Sequence, residues 1–367
     1  MTIQEKMQLL LNRLTTDGGQ RGLQLAAYVN GKLLVNAWAG TLDAGSGRRV
    51  SADTLFPVFS TGKAMLATVI HRLAQRGRIS YDQPIAQVWP EFAAHGKGAI
   101  TIGEALYHTA GIPNMPTGIG FAELHNWDTM CRAVAALPLL WPPGTRIEYH
   151  AITSGWILGE VACRVTGKPF GQLIQEEICQ PLKINGMYMG IPAAVEGRVV
   201  TLEEPGWQPP AVENLAIPNW MCPLSSWMNQ PEARRACVPA SNAIMTAHAI
   251  ARHYAGLLPG GVDGVELLPA SRVAMATQMQ RPPLSIGDDQ PKDWGLGYRL
   301  GGGDSIYGST SAAFGFSGYG GSVGFADPTI GLAFGLTKNF FGEKENVADL
   351  VARELRAALQ AAGVSPG

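Results

Sequence analysis

The chain has 367 residues, a formal net charge of −1 and 46% hydrophobic residues. A near-neutral balance supplies neither a basic field for nucleic acid nor an acidic tail. The apolar residues are dispersed, and no run approaches the ~20 that cross a bilayer. Its five cysteines, Cys131, Cys163, Cys179, Cys222 and Cys237, lack C-x-x-C spacing. An odd count without that spacing points to reduced thiols in a cytoplasmic protein and away from zinc.

The first six residues lead into an amphipathic stretch, unlike the uninterrupted apolar segment of a signal peptide. Thr2 and Glu5 have the spacing of a capping box. Ile3, Met7, Leu10, Leu11 and Leu14 then repeat at helical spacing. Residues 23–29 and 32–39 are β-rich runs around Asn30-Gly31, which predicts a hairpin. Two strands alone are marginal in water, so the hairpin needs partners from elsewhere in the chain.

Phe59-Ser60-Thr61-Gly62-Lys63 follows, at the start of a helix whose stripe is Leu66, Val69, Ile70 and Leu73. Residues three apart share a helix face, so the Lys63 amine can reach the Ser60 hydroxyl. Lys63 falls on the same stripe as the leucines. Burial drives a lysine toward its neutral form, and a neutral amine beside a hydroxyl activates a nucleophile. The plainer alternative is an N-cap serine with a lysine reaching back to water. Gly77 closes the helix.

Residues 81–270 read as helices between Pro/Gly loops, with clear patterns over 101–107, 127–137, 154–165, 169–178 and 243–257. Residues 203–232 differ. They hold Trp207, Trp220, Trp227, Met221, Met228 and six prolines, with little periodicity. A long irregular segment in a compact chain is usually functional or disordered. Its Trp and Met content opposes disorder. It reads as a loop lining an apolar pocket, or else as a satellite core under a loop.

Strand patterns return at 295–300, 321–326 and 331–337, the last two joined by Asp327-Pro328-Thr329-Ile330. Val347, Leu350, Val351, Leu355 and Leu359 mark a terminal helix. Strands at both ends and helices between predict an α+β fold: one antiparallel sheet of N- and C-terminal strands, flanked by helices, with a mostly helical region inserted. The division is 1–80 with 271–367 for the sheet part, and 81–270 for the helical part. Ser60 falls at the seam, where ligand sites concentrate.

The seven histidines form no H-E-x-x-H or other dense metal spacing, and no phosphate loop occurs. Gly320-Gly321-Ser322-Val323-Gly324 matches the G-x-S-x-G elbow of another hydrolase class. A strand and a proline turn follow it instead of a helix. The elbow also needs a histidine later in the chain, and the last is His253. Ser322 therefore reads as a turn or strand residue.

Five stretches, taken in order, resemble the serine β-lactamase and penicillin-binding-protein superfamily, in its class C-like branch of family VIII carboxylesterases. They are Phe56-Pro57-Val58-Phe59-Ser60-Thr61-Gly62-Lys63 with the segment 82–92 that follows, residues 100–113, Pro143-Gly144-Thr145-Arg146-Ile147-Glu148-Tyr149, Trp294-Gly295-Leu296-Gly297-Tyr298, and residues 314–328. The resemblance covers nearly the whole chain. It implies Ser60 as nucleophile and Lys63 as its partner. Tyr149 would be the second base or proton shuttle, held as a phenolate or acting through Lys63. The third motif falls on Phe316-Ser317-Gly318. The backbone N–H groups of Ser60 and Tyr319 would form the oxyanion hole.

Two departures shape the expected substrate. The family's Y-x-N motif here reads Tyr149-His150-Ala151, and the cation of the third motif is replaced by Phe316. Losing an amide reader and a carboxylate reader opposes β-lactam and peptidoglycan substrates and fits a neutral acyl ester or thioester. Phe316, Trp220 and Trp227 would make the pocket apolar. His150 is either a substitute polar contact or a packing residue. The expectation is a cytoplasmic serine esterase acting on a small-molecule acyl ester, with no metal, cofactor, nucleic acid or membrane partner. An acyltransferase of secondary metabolism, a weak β-lactamase and a non-catalytic ligand-binding relative are the alternatives. Oligomeric state is not legible.

Overall fold

A computed structural model describes residues 1–17, 19–279, 293–342 and 346–363. The Thr2–Glu5 capping box forms and opens a helix over Ile3–Thr16. Strands β1 (Gly22–Val29) and β2 (Lys32–Gly40) make the hairpin. Asn30 and Gly31 both take positive φ, +47° and +74°, as the tight two-residue turn requires.

Two short strands, β3 (Phe56–Pro57) and β4 (Met187–Met189), flank β5 (Ala243–Met245) in a small second sheet. The C-terminal strands are β6 (Arg299–Leu300), β7 (Phe314–Ser317), β8 (Val323–Asp327) and β9 (Leu332–Lys338). The main sheet is antiparallel with order β2-β1-β9-β8-β7-β6. The two chain ends meet at β1 and β9, in register from Leu23↔Lys338 to Val29↔Leu332.

Strand alternation sends Leu23, Leu25, Phe334 and Leu336 to one face. There they pack on Met7, Leu10 and Leu11 of the first helix and on Val351 and Leu355 of the helix Val347–Ala361. Ala26, Tyr28, Ala326 and Ala333 face the other way and join the core of the helical region. Against that face lies the helix Ala247–Ala255, which contacts β1, β8 and β9. Paired Gly324 and Gly335 let it approach. A Cβ on Gly324 would lie 2.3 Å from Ile250, and one on Gly335 would lie 2.4 Å from the Ala247 carbonyl.

Several boundaries differ from the sequence reading. The helix expected over 243–257 is strand β5 followed by the helix Ala247–Ala255, with Thr246 capping it through the Ala249 N–H. Pairing with β3 and β4, distant in sequence, claims Ala243–Met245. That helix was placed with the helical part, yet it packs on the sheet. Of 295–300 only Arg299–Leu300 is strand. Gly297, at φ +82°, turns the preceding residues. The helix expected over 169–178 is Phe170–Ile174, prolonged by a wider turn at Gln175–Cys179.

The first nine residues of the helix Lys63–Gln75 are buried on every side, where the sequence predicts a single stripe. Arg72 and Arg76 clamp it to Glu177 of the helical region at 2.8 and 2.5 Å. Among the described residues no helix is long and apolar enough to cross a membrane.

Gly335→Ala forces the central helix off the sheet and is expected to cost about 1–3 kcal/mol. Gly45→Ala, with nothing within 4 Å of the added Cβ, is the neutral control. Urea midpoints of the two variants check this. Equal midpoints would refute it.

Candidate active site

Ser60 does not cap the α-helix. It sits in the preceding 3-10 turn, Phe59–Gly62, and Gly62 is the helix N-cap. The residue before it, Phe59, holds φ +48°, a conformation disfavoured for a side chain of that size. Such strain persists where surroundings over-determine it. Here Phe59 is packed edge-on against Tyr319 at 5.7 Å and Phe341 at 6.2 Å. Glycines then let three segments close on the turn. A Cβ on Gly62 would lie 2.4 Å from Ala243, and one on Gly318 would lie 2.0 Å from the Val58 carbonyl oxygen. The Thr61 hydroxyl donates to the Ser322 carbonyl at 3.0 Å, joining the turn to the start of β8.

Lys63 Nζ lies 3.1 Å from Ser60 Oγ. It donates to the carbonyl oxygens of Ala151 at 2.6 Å and Ala240 at 2.7 Å. Burial pushes this amine well below the 10.5 of a free lysine. A neutral amine has two protons and one lone pair. The carbonyls take the protons, so the lone pair faces the serine hydroxyl. The faces of Tyr149 (4.9 Å) and Phe316 (6.0 Å) flank Nζ and favour the ammonium that proton uptake creates.

The Tyr149 hydroxyl donates to Ser60 Oγ at 2.7 Å. Burial raises the phenol above its ordinary value, which favours its protonated form. His108 and Trp294 hold the ring, at 5.1 and 5.9 Å between centroids. His108 takes φ +61°, and its Nδ1 accepts the His150 N–H at 3.2 Å.

A cavity of about 450 Å³ opens over Ser60. It is lined by Phe59, Tyr149, Ile152, Ile217, Leu224, Trp294 and Phe316, and also by Ser241, Arg299, Tyr307, Ser317 and Tyr319. Ser60, Tyr149, Phe316, Ser317 and Tyr319 line this cavity, and Lys63 lies behind Ser60. Gly318 serves the close approach to Val58 instead of the cavity. His150 is 1% exposed, with Nε2 accepting the Ile112 N–H and Nδ1 donating to the Glu148 carbonyl. With both nitrogens used, it is a packing residue and not a substrate contact. Trp220 is 40% exposed, outside the cavity lining. Trp227 is buried away from the cavity, its Nε1 donating to His125. The 203–232 segment reaches the cavity through Ile217 and Leu224 instead.

Ser322 is a strut: its Oγ accepts the Lys338 N–H at 3.3 Å and its carbonyl holds Thr61. The sequence reading missed Trp294, Arg299, Tyr307 and Ser241. Only Trp294 carried a signal, within Trp294-Gly295-Leu296-Gly297-Tyr298.

A serine in the turn before the first helix leaving an antiparallel sheet, a lysine at that helix's first position and a tyrosine from the helical region together define the β-lactamase and penicillin-binding-protein class. The chain belongs to the Beta-lactamase family, whose sequence model matches residues 2–358. It is 34% identical over 337 residues to "Esterase/beta-lactamase LipL" of Mycobacterium tuberculosis (strain ATCC 25618 / H37Rv), spanning 87% of this chain and 77% of that one. The crystal structure of a penicillin-binding protein homologue from Caulobacter crescentus matches with a TM-score of 0.84 at 34% identity, over 98% of this chain and 97% of that one. That of a family VIII carboxylesterase matches with a TM-score of 0.86 at 33% identity, over 98% of each chain.

Two outcomes follow from this geometry. If neutral Lys63 is the base, kcat/KM for an ester rises with pH as Lys63 loses its proton, and levels off below the 10.5 of a free lysine. Lys63→Arg, always protonated, should fall by about 10²–10⁴. A flat pH profile with active Lys63→Arg would refute the role. Gly318→Ala should displace the nucleophile turn and abolish labelling of Ser60 by a fluorophosphonate, with the circular dichroism spectrum unchanged. Undiminished labelling would contradict it.

Proposed function

We propose that the protein is a serine ester hydrolase working through an acyl-enzyme on Ser60. The observation that carries this is the placement of Ser60 Oγ between a desolvated amine and a neutral phenol, on the wall of a largely apolar cavity. The Ser60 oxygen attacks the ester carbonyl while its proton passes to Lys63. The backbone N–H groups of Ser60 and Tyr319 receive the oxyanion. The carbon–oxygen bond to the alcohol breaks as Tyr149 gives its proton to the leaving oxygen, and the proton on Lys63 restores Tyr149. Water then adds to the acyl carbonyl by the same route, the bond to Ser60 Oγ breaks, and acid is released.

Phe316 in place of a cation and His150-Ala151 in place of the amide reader favour esters over β-lactams. The name of LipL, which couples esterase and β-lactamase, supports a second reading in which some β-lactam turnover persists. The five cysteines are free thiols, which supports a reducing compartment, the cytoplasm.

The test is intact-mass spectrometry of wild type and Ser60→Ala after mixing with p-nitrophenyl esters of increasing chain length. Wild type should show a transient acyl adduct and Ser60→Ala none. No adduct and no nitrophenol release would overturn the proposal. Cleavage of a chromogenic cephalosporin at a rate rivalling the ester would move the β-lactamase reading forward. Diversion of the adduct to an added alcohol would assign acyl transfer.

A further inference from the structure

The cavity over Ser60 is not uniformly apolar. Among its polar lining residues are Arg299, Tyr307 and Ser317. Arg299 stands on the edge strand β6, opposite Gly315 of β7, so it comes from the strand next to the one carrying Phe316. Its guanidinium lies over the Trp294 ring, 4.6 Å from the centroid. That same ring is stacked on Tyr149 at 5.9 Å. A fixed positive charge is therefore held one indole away from the tyrosine that touches the nucleophile.

Its hydrogen bonding is incomplete. Among the described residues, only Nη2 has a partner, the carboxylate of Asp293. Nε is buried and, among the described residues, has no hydrogen-bond partner. Buried polar groups are nearly always hydrogen-bonded, and each exception asks for an explanation. A guanidinium is a planar fork of five donors, matched in shape to a carboxylate. Tyr307 and Ser317 add to this. Their hydroxyls are 2.9 Å apart and share one hydrogen bond, which leaves one O–H to donate elsewhere. A cation kept only to pair with Asp293 would gain little at a partly exposed site. It would not need to sit on the cavity wall.

We infer that Arg299, with Tyr307 and Ser317, forms an anion subsite, and that the substrates are esters carrying a carboxylate. This rests on the ester-hydrolase reading above. A single carboxylate fits better than a phosphate, because Asp293 already offsets part of the positive charge. Trp294 orients the guanidinium by stacking. The third motif's cation, absent at Phe316, is supplied from the neighbouring strand.

The test uses two matched pairs of esters. In the first, p-nitrophenyl pentanoate is set against mono-p-nitrophenyl glutarate, which has a carboxylate in place of the terminal methyl. In the second, phenyl butyrate is set against 4-carboxyphenyl butyrate, with the carboxylate on the alcohol. Wild type should favour the charged member of one pair by on the order of tenfold in kcat/KM, the scale of a charged hydrogen bond. Arg299→Ala should collapse that ratio to about one, and Arg299→Lys should keep part of it. Asp293→Asn, which frees the guanidinium, should raise it. Because this change acts in the opposite direction, the inference stays testable even if Arg299→Ala fails to fold. Ratios of one or less in both pairs for wild type would overturn the inference. So would equal losses on both esters in Arg299→Ala, which would make Arg299 a tuner of Tyr149 and not a substrate contact. Acyl adducts on Ser60 from all four esters without preference would overturn this inference alone. Adducts from none would overturn the hydrolase reading and this one with it.

Discussion

The burial of one amine is the constraint from which the site follows. Lys63 is the first residue of a helix with no solvent-facing side at that end, and its Nζ meets two carbonyls and one hydroxyl. Those groups come from three parts of the chain: the turn before the helix, the Tyr149-His150-Ala151 segment, and the loop before β5. An ammonium in that position would be costly to desolvate. A neutral amine whose two protons are taken has one direction left, and that direction is the Ser60 hydroxyl. The same segment that offers the Ala151 carbonyl also delivers Tyr149. The amine's carbonyl partner and the Tyr149 phenol are thus set by one local backbone path, which His108 and His150 brace from behind.

The nucleophile turn is held by backbone proximity more than by side-chain packing. Val58 donates its N–H to the Ala243 carbonyl at 2.8 Å, Gly62 lies against the Ala243 side chain, and Gly318 lies against the Val58 carbonyl. The positive φ at Phe59 is the strained element that this enclosure sustains. The glycine of the third motif therefore acts through space: it lets β7 end beside the turn, so that Tyr319 and Ser60 border the same cavity.

Much of this was legible in the sequence because it is local or periodic. The Thr2–Glu5 capping box, the Asn30-Gly31 turn, the Ser60–Lys63 spacing and the terminal helices depend on neighbours within a few residues. What was misread depends on distant contacts. Ala243–Met245 has helical neighbours, but two remote strands claim it. His150, Trp220 and Trp227 stood near the motif or in the loop, yet sequence adjacency does not fix direction. His150 turns its nitrogens inward, Trp227 stacks on His125, and Trp220 faces out. Arg299 reaches the cavity through strand pairing at the sheet's edge, and Tyr307 from the loop between β6 and β7, neither of which a local pattern announces.

The placement of charge is the last consequence of the buried amine. A cation on β7 at the position of Phe316 would stand close to Lys63. At ~5 Å and an effective dielectric near 20, two positive charges repel by about 3 kcal/mol. An aromatic ring there reverses the sign, because its face attracts the ammonium that forms when Ser60 is deprotonated. A positive charge on β6 meets different conditions. It is separated from the amine by Trp294 and Tyr149, and Asp293 offsets part of it. Moving the charge one strand outward therefore leaves the base free to accept its proton, while the cavity keeps a cation for whatever binds beside the acyl carbon.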